Sequence, residues 1–297
     1  MSDVASGASA TRALPRSLLF APATSARKLE KAFDSAADGV IVDLEDSVAV
    51  SEKAAARAAA VQALQTPRRL PAYVRINATS TPFCFDDLLA VGGMALDGIL
   101  LPKAESAQQI EMVDWLLSQI EAQHQRPTGS VAIIPLLETA QGIAAAASIA
   151  RASRRLRMLG FGAVDLALDL DIDIDDETGA MAQARFALAL ASRCAGLPGP
   201  FDTAFPDIHD LDRLRASARR ARAMGYRGKA CIHPAQIETV NEVFTPTTQE
   251  LERARRIVTA FDAAEAAGAA AVSVDGVMID YPVVEKARRV LLMQRDA

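Results

Sequence analysis

VAIIPLLE, residues 131–138, is a continuous apolar run that ends in a carboxylate, and TAQGIAAAASIARAS (139–153) follows it as helix-forming sequence. A strand buried in a parallel sheet reads this way: apolar on both faces, then a turn, then a covering helix. The same unit recurs in both directions. Upstream lie SLLFAPA (17–23), GVIVDLE (39–45), AYVRIN (72–77) and GILLPK (98–103), each followed by an amphipathic stretch. Downstream lie RMLGFG (157–162), a weaker run at 201–205, and KACIH (229–233). Eight β-then-α units in order predict an α/β fold, a closed (β/α)8 TIM barrel, over residues 15–244. The weak seventh strand leaves an open sheet as the alternative.

After Phe244 the rhythm changes. Pro246 opens a helical stretch, TQELERARRIVTAFDAAEAAG (248–268), then come AAAVSVDGVMIDYP (269–282) and a last helix, VVEKARRVLLMQ (283–294). Residues 245–297 read as a helical arm or lid rather than a separate domain, being too few to hold a core of their own comfortably. Residues 1–14 read as a disordered tail without the apolar stretch of a signal peptide. No window is apolar over the ~18 residues of a membrane span. A net charge of −5 in 297 residues argues against a nucleic-acid surface. Cys84, Cys194 and Cys231 lie far apart without metal-ligand spacing and read as reduced, mostly buried thiols of a cytoplasmic protein.

In a barrel the active site forms at the carboxyl ends of the strands, so the polar residues there are the candidates. They are Asp43, Glu45 and Asp46 behind the second run, Arg75 and Asn77 in the third, Lys103 behind the fourth, Glu138 behind the fifth, Asp165 behind the sixth and His233 behind the eighth. Two carboxylates at neighbouring strand tips, Glu138 and Asp165, suit a hard cation, Mg2+ or Mn2+, which takes oxygen ligands and often only one or two from protein carboxylates. Each also reads as an ordinary acid at a helix start. Asp169, one turn beyond Asp165 on the same helix face, reads as a solvated acid or as one that supports the site from behind. Arg75 inside an apolar strand needs an anion, either a substrate carboxylate or a barrel acid. Asp43, Glu45 and Asp46 form an acidic turn that holds metal-bound water or Arg75, or is simply solvated. Lys103 binds a phosphate or carboxylate, or forms a structural pair. His233 touches a nucleotide or caps a strand. Asp280, in DGVMIDYP, sits among apolar residues where its pKa would rise and suit acid–base work; N-capping the next helix is the competing role.

The segments RSLLFAPA, GVIVDLEDSV, YVRIN, ILLPKAES, IPLLETAQGI, LGFGAVDLALDL, GKACIHPAQI and GVMIDYP, in this order, resemble the citrate lyase β-subunit family within the HpcH/HpaI aldolase/citrate lyase group. The resemblance implies a trimer or hexamer, Mg2+ on Glu138 and Asp165, a 2-keto acid such as oxaloacetate or a substrate carboxylate on Arg75 and Glu138, and coenzyme A over the mouth near Lys103 and His233. It implies Asp280 of a neighbouring subunit acting on the acetyl-CoA carbon, with Glu45 and Asp46 as further catalytic acids. The expected reaction is Mg-dependent carbon–carbon cleavage of a 3-hydroxyacyl-CoA (citryl-, citramalyl- or malyl-CoA) to acetyl-CoA and a 2-keto acid. A CoA-independent pyruvate aldolase, a malate-synthase- or thioesterase-like variant, and a non-catalytic binding subunit working beside citrate lyase partner subunits remain alternatives. One departure stands out: DLALDLDIDIDD (165–176) carries extra acids and no glycine after Leu170.

Overall fold

The computed structural model describes residues 14–174 and 179–294, so the predicted tail, apart from Leu14, and Asp175 and Asp176 of the acidic loop lie outside the described residues. The chain divides into two compact units, Pro15–Phe244 and one that begins at Thr245.

The first unit is a closed barrel of eight parallel strands in sequence order. They are β1 (Ser17–Pro22), β2 (Gly39–Asp43), β3 (Ala72–Arg75), β4 (Gly98–Leu101), β5 (Ala132–Leu137), β6 (Gly160–Phe161), β7 (Phe201–Asp202) and β8 (Gly228–Cys231). β8 returns to β1, pairing Ser17 with Lys229 through Leu19 with Cys231, which settles the open-sheet alternative. Every residue of β2 and β4 is buried, as strands covered on both faces require. One apolar cluster joins strand residues such as Val40, Val42 and Ile99 to helix residues such as Ala60, Leu88 and Leu117.

β6 is far shorter than its apolar run suggested, and Pro135 accounts for this. Proline has no N–H to give a neighbouring strand and belongs at edges or bulges. Ile133 bridges Leu156, and the ladder resumes only at Leu136–Gly160 with one extra residue on the second strand. The bulge falls at Pro135 and leaves Leu137–Phe161 as the last pair before the mouth. Behind β5, Thr139 caps the next helix, its hydroxyl accepting the Gly142 N–H at 3.1 Å.

The second unit contains a helix (Thr248–Ala266), an antiparallel hairpin of β9 (Val272–Val274) and β10 (Val277–Ile279), and a helix (Tyr281–Leu291). Thr247 and Glu250 form a capping box at its start. Ala254, Ile257, Phe261, Ile279, Val284 and Ala287 make a small core, with the Tyr281 ring edge-on to Phe261 at 5.0 Å. Among the described residues no helix is long and apolar enough to cross a membrane.

Candidate active site

The acidic turn after β2 is built around Arg75. Asp43 is buried at the end of β2, directly opposite Arg75 of β3 in the ladder. Its two oxygens accept Arg75 Nε–H and Nη2–H, each at 2.7 Å, a bidentate charge-assisted pair. Nη1 donates to Asp46 at 3.1 Å and lies 2.9 Å from Glu45 Oε2 as an ion pair, without the alignment of a hydrogen bond. The guanidinium also stacks over Phe20. Arg75 thus meets its anion requirement within the barrel, and among the described residues one Nη2–H has no acceptor. Burial alone would push the Asp43 carboxyl up, but Arg75 holds it below the usual carboxylate range. Glu45 shows the opposite balance: burial, helped by Asp46 and Asp43, outweighs Arg75 and Lys103 and pushes it up to about 7.

Two further residues hold this turn, and sequence reading gave one of them no role. Lys53 is buried and donates to the carbonyls of Leu44 and Glu45 at 2.8 and 2.7 Å. Its position at a helix start resembles any solvated lysine, so no local signal marks it. Asn77 donates to the Leu44 carbonyl and to Asp87, supporting the turn from behind.

Glu138 and Asp165 stand at adjoining strand ends. Glu138 directly follows β5 and is 3% exposed. Asp165 lies in the first turn of the helix Ala163–Leu170 behind β6, half-buried. The Ala163 N–H donates to Thr203 Oγ1 at 3.1 Å, anchoring that helix start to the loop after β7. Glu138 Oε1 accepts the Lys103 N–H at 2.9 Å, and the Lys103 ammonium lies 3.5 Å from Asp165 and 3.7 Å from Glu45. Gly162 makes room for the acid: a Cβ there would stand 2.3 Å from Glu138 Oε2. Burial first, then Asp165 and Glu45, push the Glu138 carboxyl up to about 8. A cavity of about 480 Å³ opens here and is lined by Asp43, Asp46, Arg75, Glu138 and Asp165.

Residues 16–234 match the model of the HpcH/HpaI aldolase/citrate lyase family. The citrate lyase β subunit of Haemophilus influenzae is 35% identical over 280 residues, covering 94% of this chain and 96% of its own. A (3S)-malyl-CoA thioesterase of Cereibacter sphaeroides is 37% identical, covering 93% of each. The Mycobacterium tuberculosis protein CitE, solved in complex with magnesium, acetoacetate and coenzyme A, superposes with a TM-score of 0.76 at 34% identity over 95% of this chain and 98% of that one.

The chain belongs to the HpcH/HpaI aldolase/citrate lyase family.

In this family member the donor set around Glu138 is all oxygen, which suits a hard divalent cation. A carboxyl driven toward neutrality first by burial and then by two neighbouring acids is short of positive charge, and a cation would supply it. Among the described residues no three His, Cys, Asp or Glu side chains gather into an ion site. A cation on two carboxylates would keep most of its coordination for substrate and water. Asp169 is not merely solvated: its carboxylate accepts the Ala140 N–H at 2.7 Å, tethering the segment behind Glu138. His233 is exposed and caps a short 3-10 turn (Pro234–Gln236), its Nδ1 accepting the Ala235 N–H at 3.2 Å. Asp280, in the second unit, caps the helix Tyr281–Leu291 by accepting the Val283 N–H at 3.3 Å. Cys84 and Cys231 are buried, but Cys194 is exposed at the end of its helix; all three are free thiols.

Proposed function

We propose that this protein cleaves a 3-hydroxyacyl-CoA thioester (citryl-, citramalyl- or malyl-CoA) to acetyl-CoA and a 2-keto acid, with Mg2+ or Mn2+ on Glu138 and Asp165. The observation that carries this reading is the pair of carboxylates at the adjoining ends of β5 and β6, with the buried Glu138 poorly partnered, sharing a cavity with Arg75. The family supports the reaction class, carbon–carbon lysis, and the magnesium, acetoacetate and coenzyme A held by CitE support the ligands.

Bound at these acids, the metal supplies Lewis-acid neutralisation of the charge that develops during cleavage. The residues of the chain do the rest. Arg75, oriented by Asp43, offers its remaining N–H to the substrate carboxylate and fixes the breaking bond. Glu45, with a pKa near neutrality, takes the carbinol proton, and Asp46 shares the Arg75 guanidinium with it. The bond between the carbinol carbon and the thioester α-carbon then breaks, leaving a keto acid and a thioester enolate. Asp280 of a neighbouring copy returns a proton to the enolate carbon. Lys103 and His233 face the anionic parts of coenzyme A. Residues 245–297 acting as a lid on a neighbouring subunit, assembly as a homotrimer or hexamer, citrate lyase partner subunits and a cytoplasmic location belong to the same proposal.

The test is a screen of malyl-, citramalyl- and citryl-CoA with Mg2+, reading keto acid formed. Keto acid from none of them, by protein that binds metal, overturns the lyase. The likeness to a malyl-CoA thioesterase favours a second reading, in which hydrolysis follows cleavage. Release of free CoA in step with keto acid would establish it.

A further inference from the structure

Lys103 stands in a backbone conformation that side chains seldom adopt. Its φ is +48°, the left-handed region, although it is not glycine. The turn is held by two bonds, Lys103 N–H to Glu138 Oε1 at 2.9 Å and Ala104 N–H to the Leu136 carbonyl at 3.1 Å. Such a conformation persists where the surroundings over-determine it, and it clusters at functional sites. Here it lets one residue serve three acids. The backbone N–H serves Glu138, while the ammonium lies 3.5 Å from Asp165 and 3.7 Å from Glu45.

The other cation of the mouth differs in kind. Arg75 is locked by a bidentate pair and is 12% exposed. Lys103 is 38% exposed and among the described residues makes two longer ion pairs. It is a compact charge on a flexible stem, able to leave without breaking a fork of hydrogen bonds.

We infer that Lys103 is the built-in counter-cation of the metal site. Its ammonium neutralises Asp165 and Glu45 while no metal is bound, competes with the incoming divalent ion for Asp165, and is released toward the anionic substrate once that ion is seated. The inference rests on the metal assignment to Glu138 and Asp165. It goes further by making metal loading and the freeing of Lys103 one exchange.

The experiment measures Mn2+ affinity by electron paramagnetic resonance, and melting temperature with and without metal. Wild type is compared with Lys103→Met, Lys103→Arg and Lys103→Gly, the last tolerating the left-handed turn best. Lys103→Met should bind Mn2+ about fivefold more tightly, the size of one screened charge pair at this distance. The metal-free protein should melt lower, and its gain on adding Mn2+ should be larger than in wild type. Lys103→Gly should match Lys103→Met in affinity, and Lys103→Arg should match wild type. Unchanged or weaker Mn2+ binding in both Lys103→Met and Lys103→Gly overturns the counter-cation role. A separate result overturns the metal assignment itself: no Mn2+ binding by wild type, or equal binding by Glu138→Gln and Asp165→Asn.

Discussion

At the amino-terminal ends of the strands, Arg155 is 3% exposed and meets Glu121 with both Nη groups, at 2.7 and 2.8 Å, and Asp114 with Nε. Glu121 is itself fully buried and accepts the backbone N–H groups of Gly129 and Val131 as well. At the carboxyl ends, Glu138 is buried almost as deeply, yet a single backbone N–H is the only hydrogen bond its carboxylate receives among the described residues. Burial pushes both carboxyls up. At the base, hydrogen bonds from Arg155, Val131 and Gly129 overrule it and bring Glu121 down to about 2; at the mouth, Asp165 and Glu45 add to it and take Glu138 to about 8. The barrel therefore completes the partners of Glu121 at its base and leaves Glu138 poorly partnered at its mouth. Both carboxyls leave their ordinary pKa, so what separates the two ends is direction: the lowered one belongs to a completed ion pair, and the raised, poorly partnered one at the carboxyl ends of the strands is the kind suited to a working site.

The sharpest break of this contrast is Glu138→Gln. It removes the anionic form that would hold the metal, so metal-dependent cleavage should fall on the order of 10³-fold, the scale of a lost Lewis acid. The metal-free melting temperature should stay level, because a buried carboxyl already held near neutrality is replaced by a neutral amide of the same shape. Keto acid release and calorimetry check the two halves. Full activity, or a large drop in melting temperature, would erase the distinction between mouth and base. Arg155→Met makes the converse cut. Two acids lose their shared partner, and stability measured by urea unfolding should fall by about 3–5 kcal/mol, while activity per folded molecule is unchanged.

A finer probe is Gly162→Ala. The φ at Gly162 is −114°, which any residue adopts, so backbone strain is not at issue. The new methyl would meet Glu138 Oε2 at 2.3 Å and Glu138 Cβ at 2.6 Å, forcing the carboxylate aside. A misplacement of ~1 Å at a reacting centre costs up to about 10²-fold. Turnover and Mn2+ affinity should fall together in this variant, with only a small change in unfolding midpoint.

The two ends also differ in how much of them the sequence discloses. The mouth is legible because each carboxylate follows an apolar run directly: the run predicts the strand, and the strand's exit predicts the place. Glu138, Asp165, Asp43 and Arg75 all follow from that logic. The base is not legible. Glu121 and Asp114 sit on the helix Ala107–Gln123 and read as its solvated face, while Arg155 lies 34 and 41 residues away in a polar turn. Only the closing of the barrel brings them together. Lys103 falls between these cases. Its place at the exit of β4 is readable, but the left-handed turn that gives its N–H to Glu138 is not, since lysine carries no preference for it. The shortness of β6 was readable in principle from Pro135, whose missing N–H interrupts the ladder on that side. The helix cap formed by Asp280 was among the roles the sequence offered, while His233, offered as a strand cap, caps a 3-10 turn instead.

The smallest effects are in pH, and they separate the two ends by sign. Glu121 has a folded pKa of about 2 against an ordinary 4.5. Its contribution to stability is full above about 4.5 and is lost as the pH falls toward 2. The difference in unfolding free energy between wild type and Glu121→Gln should be flat at neutral pH and shrink across that acid window. Glu45 is displaced the other way, to about 7, by burial. Its working form is the ionised one, so kcat/KM should rise with pH through about 7 as a single proton is lost. Glu45→Gln should remove that limb and leave the acid unfolding curve unmoved. If the activity limb survived in Glu45→Gln, the proton acceptor would have to be another group at the mouth, and the raised pKa of Glu45 would reflect burial alone.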